Sequence, residues 1–412
     1  MDTNGSLVLR RARLAGAAAQ DQADVHIVDG VIRSVVPAGT DAGATATGAT
    51  VVDLDGRLLL PAFAEPHAHL DKAFLAETIH NPTGDLIGAI EAMERQRDLV
   101  TLEDTIERAE RAARLMLANG TTAIRTHADL TEQNGLTSVT ALIEVRERLR
   151  GLVDVQVCAL TGWPTVGPGS DAHRALLRDA IAMGVDLVGG CPHLEPDPVA
   201  ANEFFLEMAA EAGLPVDLHT DETLNPEMLA LEDLARRVST SGFPHPVTAS
   251  HCVSLGVQSE RRQREVAALV ATAGIAVVAL PHTNLFLQGR HHQSAMPRAL
   301  TAVRALTDAG VNVVAGADNL QDPFNPVGRG DALETASLMV MTCHLLPDDA
   351  LDSVTVRPRA ALGMTPNRVA AGGTADLVAL RAATVREAIA MAPAPRIVVR
   401  RGRIVAGVPS GV

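Results

Sequence analysis

The hydrophobic and polar positions of residues 1–60 follow a different pattern from those of the residues after them. Apolar residues recur at every second position in stretches at 6–13 and 25–36, and the apolar segment at 51–60 indicates a third β unit. A period of two is typical of a strand that buries one face. The dipeptides Asp29-Gly30 and Asp55-Gly56 interrupt these stretches and predict turns, the first of them in a hairpin. The first 60 residues are therefore predicted to form short strands.

From residue 61 onward, apolar β-rich runs alternate with helical patterns. The runs end near His69, His127, Leu160, Cys191, His219, His251, His282 and Asp318. The helical patterns lie at 102–118, 137–150, 171–183, 199–212, 226–240, 259–273 and 296–309, and a last one starts near Asp331. Eight strands alternating with helices predict a closed (β/α)8 barrel of the TIM type. A doubly wound open sheet is the alternative, but the sequence lacks the glycine-rich phosphate loop that usually follows an early strand of such a sheet.

The tail of the chain returns to strand character. The segments ADLVAL at 375–380 and RIVVRRGRIV at 396–405 resemble the N-terminal strands, and Arg401-Gly402 predicts a turn within the second. We expect residues 1–60 and 365–412 to form one discontinuous small β-domain beside a barrel of residues 61–364.

Composition narrows the classes of function. The chain has 412 residues, of which 47% are hydrophobic and 20% charged, and this describes a globular protein with a sizeable core. A net charge of −14 and an aromatic content of 2% oppose binding to nucleic acid or to an anionic membrane. The 4 cysteines are scattered, which favours reduced thiols. We therefore expect a cytoplasmic protein with no nucleic-acid or membrane partner.

Histidines and acids end most of the predicted barrel strands. His67 and His69 are two residues apart, so both can point to one face of the first strand. His219, His251 and Asp318 end the fifth, sixth and eighth strands, and the carboxyl ends of barrel strands form the active site in this fold. Imidazoles and carboxylates are common metal ligands. The pattern therefore predicts a metal site.

Other polar residues near the strand ends have a structural interpretation. His127, His193 and His282 are expected to donate hydrogen bonds to backbone carbonyls. Lys72 lies beyond the first strand and is expected to form an ion pair at the surface or behind the metal ligands.

Several motifs carry a resemblance to a known family. They are EPHAHLD at 65–71, RTH at 125–127, VDLHTDE at 216–222, VTASH at 247–251, LFLQGR at 285–290, GADN at 316–319, DPF at 322–324, and AAGG with ADL at 370–377. With these motifs the chain resembles bacterial cytosine deaminase, in the amidohydrolase superfamily of metal-dependent hydrolases. The His-x-His motif marks the superfamily, and HTDE with the later His251 and Asp318 points to its deaminase branch.

The resemblance implies roles for individual residues. It implies that His67, His69, His219 and Asp318 hold one divalent metal ion, zinc or iron. It further implies that Glu222 shuttles a proton to the substrate ring, while His251 and Asp318 orient and deprotonate the metal-bound water that attacks the amine-bearing carbon. An N-terminal cap for the following helix is the alternative for Glu222. Two-metal relatives carry a bridging lysine at the end of the fourth strand, where this chain reads VGGCP at 188–192, so one metal ion is expected.

The resemblance is incomplete where the substrate would bind. The family has Phe-Pro-Gln after the third strand, and its Gln holds the pyrimidine edge, whereas Gly162 and then Trp163 occupy this region here. Asn319 replaces a second Asp of the family and is expected to point away from the metal by strand alternation. Gly162, Trp163, Asn319 and Phe324 are the candidate substrate-binding residues. A buried pyrimidine edge that lacks its hydrogen-bond partner is costly, so cytosine is expected to be a poor substrate. Gly162→Gln is expected to raise the activity on cytosine.

The predicted function is hydrolytic deamination of an N-heterocyclic amine, cytosine or a related pyrimidine, with release of ammonia. Isocytosine, 5-methylcytosine, a pterin and an amino-triazine are alternative substrates. Hydrolysis of a cyclic amide is an alternative reaction. A metal-binding barrel without enzymatic activity is a further alternative, but it would require Glu222 and His251 to stand at these positions by chance. The expected partners are a small heterocyclic amine and, in a homo-oligomer, further copies of the chain.

Overall fold

The computed structural model describes residues 5–18, 21–40 and 48–407. Its strands are β1 Leu7–Leu14, β2 Ala23–Val28, β3 Val31–Pro37, β4 Thr50–Asp53, β5 Leu58–Pro61, β6 Phe63–Ala68, β7 Thr121–Leu130, β8 Asp154–Thr161, β9 Leu187–Gly190, β10 Val216–Thr220, β11 Val247–His251, β12 Ala276–Ala279, β13 Val313–Ala315, β14 Leu377–Leu380, β15 Ile397–Arg400 and β16 Arg403–Ala406. Its α-helices are α1 Leu86–Arg95, α2 Leu102–Ala118, α3 Thr137–Arg148, α4 Asp171–Met183, α5 Pro198–Ala212, α6 Ala230–Ser241, α7 Val253–Gly256, α8 Glu260–Thr272, α9 Pro281–Leu287, α10 Val303–Asp308, α11 Ala332–Cys343, α12 Pro347–Asp352, α13 Val356–Ala361 and α14 Val385–Met391.

Strands β6 to β13 form a parallel barrel in chain order. The barrel closes between its first and last strands, where Ala68 forms a parallel bridge with Asp318. There the Asp318 N–H donates to the His67 carbonyl at 3.0 Å, and the His69 N–H donates to the Asp318 carbonyl at 3.1 Å. The predicted (β/α)8 barrel is confirmed. Its closure brings the His-x-His motif against Asp318.

The buried side chain of Glu65 stabilises the closure of the barrel through two hydrogen bonds. Its Oε1 accepts a hydrogen bond from the His67 N–H at 3.1 Å, and its Oε2 accepts one from the Ala317 N–H at 3.0 Å. A Cβ atom at Gly316 would lie 2.5 Å from Glu65 Oε1, so this close approach requires glycine. Glu65 therefore ties the backbone of β6 to the segment that carries Asp318.

The observed helices match the predicted ranges best where the sequence has a glycine directly after the helix or another clear terminal residue. Helices α2 and α4 span the predicted ranges, and α4 and α5 end at Gly184 and Gly213, which adopt left-handed conformations. The prediction at 296–309 is wrong in its first half, because α10 covers only Val303–Asp308. Pro297 disfavours a helical conformation in the residue before it, and Ala295 and Ala299 adopt positive φ.

The remaining strands form the small β-domain. Their order is β16-β15-β14-β5-β1-β2-β3, with β4 paired to β1, so β14 near the C-terminus lies against β5 near the N-terminus. The predicted hairpin at Asp29-Gly30 joins β2 to β3, whereas β4 and β5 both run parallel to β1 across the turn at Asp55-Gly56. A small β-domain made from both chain segments is therefore confirmed. Its boundaries at 60 and 365 stay a prediction, and residues 1–4, 19–20, 41–47 and 408–412 lie outside the described residues.

The connection from β6 to β7 is long and lies over the carboxyl end of the barrel. It contains α1, which has no counterpart among the predicted helices, and α2. The Asp85 side chain caps α1 by accepting a hydrogen bond from the Gly88 N–H at 2.8 Å. Within the described residues, no helix combines the length and the apolar character needed to cross a membrane. A cytoplasmic location stays a prediction.

Candidate active site

Three imidazoles and a carboxylate converge at the carboxyl end of the barrel. His69 Nε2 lies 3.3 Å from His67 Nε2, 3.2 Å from His219 Nε2 and 3.2 Å from Asp318 Oδ1. His67 Nε2 is 3.6 Å from the same oxygen of Asp318. Four ligands around a tetrahedral zinc ion at about 2.0–2.1 Å would stand about 3.3 Å apart. These four separations fit ligands of one metal ion. His67, His69 and His219 form one compact group of possible ligands, and His67 and Asp318 form another with His251.

The electrostatics of the cluster also fit a cation. Burial, reinforced by neighbouring histidines, lowers the pKa of His67 and of His219 well below the usual range, which keeps both imidazoles in the neutral form that binds metals. Both carboxylate oxygens of Asp318 are buried without a hydrogen-bond donor among the described residues. A buried carboxylate without a donor is costly unless a cation compensates its charge. These residues could hold a divalent metal.

Two further titratable side chains stand beside this cluster. His251 Nε2 lies 4.0 Å from Asp318 Oδ2, and His251 Nδ1 lies 3.5 Å from Glu222 Oε1. Burial lowers the pKa of His251 to about 4, although the charge of Asp318 acts in the opposite direction. Burial raises the pKa of Glu222 well above its usual range, and the charge of Asp318 raises it further. Burial therefore favours the neutral form of both side chains, an unprotonated imidazole at His251 and a protonated carboxyl at Glu222.

The alternative interpretation of Glu222 as a helix cap is wrong. Helix α6 begins at Ala230, and the carboxylate that caps it belongs to Asp221, which accepts hydrogen bonds from the Ala230 N–H at 2.9 Å and the Leu231 N–H at 3.0 Å. Asp221 turns the chain with a φ of 52° directly after β10. Glu222 is thereby left free to face the cavity.

A cavity of about 110 Å³ opens in front of the cluster. The predicted site residues that line it are His69, Gly162, Trp163, His219, Glu222, His251, Asp318, Asn319 and Phe324. His67 is fully buried behind them. Asn319 lines the cavity, and its side chain donates to Asp322 Oδ2 at 2.8 Å and accepts from the Thr283 hydroxyl at 3.3 Å. Strand alternation does not apply to it, because β13 ends at Ala315, so its direction relative to the metal ligands stays a prediction.

The cavity wall also contains residues to which the sequence analysis gave no place in the site. Lys72 is buried rather than at the surface, with Nζ 2.5 Å from Asp129 Oδ1 and 5.5 Å from the centre of the Phe324 ring. Asp129 lies two residues after His127 in β7, so period-two spacing was a signal that could have found it. Leu86, Ile90, Met93 and Arg97 reach the cavity from α1 and the segment after it. The spacing of Leu86, Ile90 and Met93 at i, i+4 and i+7 after Asp85 was the signal that could have found this helix.

The three histidines interpreted as structural have different environments. His193 Nδ1 bonds to the His219 carbonyl at 3.0 Å, as expected. His282 lies in α9 and contacts the Thr335 hydroxyl at 3.2 Å, and His127 stacks on His67 with ring centres 3.9 Å apart. Neither nitrogen of His127 has a hydrogen-bond partner among the described residues. The expectation of a bond to a backbone carbonyl is therefore wrong for His282 and His127.

The position of Gly162 has no room for a side chain. A Cβ atom there would lie 2.9 Å from the Leu130 carbonyl oxygen and 2.9 Å from His173 Nε2. The segment after it is also fixed, because the Thr165 N–H donates to Glu195 Oε1 at 2.7 Å. The expectation that Gly162→Gln improves activity on cytosine conflicts with this packing.

Comparisons with known proteins agree with this fold and site. The model of the amidohydrolase family matches residues 75–406. A pterin deaminase of Rhizobium rhizogenes is 35% identical over 391 residues, which are 93% of this chain and 88% of the relative. The crystal structure of 5-methylcytosine deaminase from Klebsiella pneumoniae superposes with a TM-score of 0.87 at 31% identity, over 98% of this chain and 97% of that one. That of N-isopropylammelide isopropylaminohydrolase from Burkholderia multivorans has a TM-score of 0.81 at 31% identity, over 98% of both chains.

The fold and the site define a barrel hydrolase with a cluster suited to a metal ion. The chain belongs to the amidohydrolase family, whose members depend on metal ions. The predicted enzyme class, a hydrolytic deaminase that acts on carbon–nitrogen bonds, is confirmed. The family match begins after the His-x-His motif, so the assignment of His67 and His69 depends on the geometry of the site.

Proposed function

We propose that this enzyme deaminates an N-heterocyclic amine with one divalent metal ion, zinc or iron, held by His67, His69, His219 and Asp318. The observation that carries the proposal is the convergence of these residues on His69, whose Nε2 lies 3.2–3.3 Å from a ligand atom of each of the other three, beside Glu222 and His251 at one cavity. A metal ion bound there supplies an activated water at neutral pH.

The residues at the end of β9 support a count of one metal ion, because they leave no room for a lysine that would bridge two. A Cβ atom at Gly189 would lie 2.6 Å from Cys158 Sγ and 2.8 Å from the Asp217 carbonyl oxygen, and one at Gly190 would overlap the Phe205 ring. A bridging lysine cannot be accommodated at either position without displacing the neighbouring side chains and backbone.

Glu222 and His251 divide the proton transfers. Burial raises the pKa of the Glu222 carboxyl, which faces the cavity, and favours the protonated form that can donate to a ring nitrogen and make the amine-bearing carbon electrophilic. Burial also favours the neutral form of His251, and in the tautomer with its proton on Nδ1, where the Asn284 side chain lies 3.1 Å away and would turn its amide oxygen toward it, Nε2 can accept a proton of the attacking water. That proton then passes to the amine, which leaves as ammonia, and the hydroxyl proton left on the carbon returns to Glu222 as the ring carbonyl forms. The opening of a cyclic amide would also need a proton on the departing ring nitrogen, so the preference for deamination is supported by the relatives, which include a pterin deaminase and a 5-methylcytosine deaminase.

The substrate is proposed to be a ring amine other than unsubstituted cytosine, with pterin and 5-methylcytosine first. Gly162 offers no amide for the pyrimidine edge, and its packing leaves no room for one. Asn319 and the Lys72–Asp129 pair supply donors and acceptors along the wall instead. The relatives that are at least 31% identical include a pterin deaminase and a 5-methylcytosine deaminase. A homo-oligomer stays a prediction.

An ammonia-release assay tests the proposal. Purified enzyme of known metal content is incubated with pterin, 5-methylcytosine, cytosine, isocytosine, an amino-triazine and a cyclic amide. We expect ammonia from at least one amine, a lower rate with cytosine, and no ring opening of the amide. Glu222→Gln with its full metal content is the matched control and should release little ammonia. Ring opening of the amide without release of ammonia from any amine would contradict the proposal.

A further inference from the structure

The three histidines of the metal cluster are held in different ways. Among the described residues, Nδ1 of His69 and Nδ1 of His219 have no hydrogen-bond partner. In contrast, His67 Nδ1 lies 2.9 Å from the Ser250 hydroxyl oxygen. His67 is also the fully buried member of the cluster. One ligand is therefore anchored from behind, and the other two are not.

The anchor continues into a buried chain of polar groups. The Ser250 hydroxyl lies 2.9 Å from Asp217 Oδ1, and Arg125 Nη1 donates to Asp217 Oδ2 at 2.8 Å. Arg125 donates further bonds to Thr248 Oγ1 at 3.1 Å and to the Ala361 carbonyl at 3.0 Å. Adjacent parallel strands β10 and β11 supply Asp217 and Ser250. All these side chains are buried, so water does not compete with the chain.

The direction of each hydrogen bond follows from the chemistry of the groups. The carboxylate of Asp217, paired with a guanidinium, only accepts, so the single hydroxyl hydrogen of Ser250 is donated to it. The Ser250 oxygen then accepts from His67, which places the imidazole proton on Nδ1. His67 Nε2 is left with its lone pair, and this is the atom that faces His69 and Asp318.

We propose that Ser250 and Asp217 are positioning residues that fix His67 in the tautomer that binds a metal ion through Nε2. This inference rests on the proposed metal centre and adds to it a specific anchor at one ligand. Hydrogen-bond partners of metal-bound histidines orient the ring and make it a better ligand, and their loss typically weakens metal binding 10- to 100-fold. We expect the other three ligands to stay in place when Ser250 is changed, so the variant should lose part of its metal affinity rather than all of it.

Zinc affinity, measured by competition with a chromophoric chelator on the full-length protein, tests the proposal without reference to activity. We expect Ser250→Ala to bind zinc about 10- to 100-fold more weakly than the unaltered protein. Ser250→Thr keeps the hydroxyl and should restore most of the affinity. Thr248→Val is the matched control, because it removes another buried hydroxyl of β11 that contacts Arg125 but not His67.

The outcomes separate this inference from the proposed function. Equal zinc affinities of Ser250→Ala and the unaltered protein would overturn it, and so would equal weakening by Ser250→Ala and Thr248→Val. Absence of ammonia release from every amine tested would count against the proposed function alone. Should Ser250→Ala not fold, a crystal structure of the zinc-loaded protein decides: we expect His67 bound through Nε2 with Nδ1 on Ser250, and binding through Nδ1 would overturn the inference.

Discussion

Replacement of Gly162 by alanine adds one methyl group to the wall between β8 and the cavity. The new Cβ atom would lie 2.9 Å from the Leu130 carbonyl oxygen and 2.9 Å from His173 Nε2, where ordinary contacts begin at 3.4 Å. Neither neighbour moves easily. The Leu130 carbonyl accepts the Gly162 N–H at 2.8 Å, and His173 Nδ1 is held by the Pro164 carbonyl at 3.1 Å. We therefore expect strain rather than a tolerated methyl group.

The size of the effect follows from two opposing contributions. Forcing an extra methyl group into a packed region costs about 1–3 kcal/mol. The unfolded chain loses conformational freedom when glycine becomes alanine, and this returns about 0.4–1 kcal/mol. The free energy of unfolding is therefore expected to fall by about 1.3 kcal/mol, the difference between the centres of the two ranges, within limits of about 0–2.6 kcal/mol.

Urea unfolding followed by circular dichroism measures this change. Gly5→Ala is the matched control, because Gly5 has nothing within 4 Å of its ideal Cβ position and no left-handed φ, and its stability should not fall. Trp163 is the single tryptophan and the chain has no tyrosine, so fluorescence reports on the residue next to the substitution. We expect its emission to shift in folded Gly162→Ala but not in Gly5→Ala.

The same packing predicts the behaviour of Gly162→Gln. Its side chain would start from the same Cβ position and would be directed at His173, so kcat/KM for cytosine should not rise above that of the unaltered enzyme. An unchanged stability of Gly162→Ala, together with a higher kcat/KM for cytosine in Gly162→Gln, would refute the reasoning and support the role of the family's glutamine.

Three further predictions concern the cluster and the cavity wall. His219→Ala should lose the metal ion and the activity, and elemental analysis should find about one ion per chain in the active unaltered enzyme; two tightly bound ions would contradict the mononuclear proposal. Glu222→Gln should keep its metal and its fold but lose about 10²-fold or more in kcat; near-normal turnover would remove Glu222 from the proton transfers. Lys72→Met leaves the Asp129 carboxylate unpaired and should lower the free energy of unfolding in urea by about 3 kcal/mol. The double variant Lys72→Met with Asp129→Leu should recover part of this loss. No recovery in the double variant would contradict a role of the pair in stability.

Much of the fold could be predicted because its signals are local. The apolar runs of the barrel strands, the glycine at the end of α4 and the turn at Asp29-Gly30 each determine a conformation within a few residues. Helix α1 has the Asp85 cap and the apolar spacing of Leu86, Ile90 and Met93 as local signals, but its position at the cavity depends on contacts with the finished barrel. The segment at 296–302 is not helical for a local reason, because Pro297 disfavours a helical conformation in the residue before it and Ala299 adopts a positive φ.

The metal cluster could be predicted for a topological reason. Parallel strands of a barrel end at one rim, so residues that follow β6, β10, β11 and β13 meet whatever their separation in sequence. The environment of each side chain could not be predicted in this way. For Lys72 the sequence leaves open an ion pair at the surface or behind the metal ligands, and only the folded connection places it in a buried pair with Asp129. For His127 the sequence predicts a bond to a backbone carbonyl, whereas its ring stacks on His67 and neither nitrogen has a hydrogen-bond partner among the described residues.

Chemistry and selectivity therefore come from different parts of this chain. The ligands and proton carriers stand at strand ends whose positions the barrel closure fixes, with Glu65 tying His67 to the segment before Asp318. The opposite wall is made by α1, by the segment after β8 and by the residues that follow Asp318. None of these segments supplies a ligand to the cluster proposed above. We therefore expect the wall to decide which ring is bound, and substitutions that exchange substrates should be sought there rather than among the metal ligands.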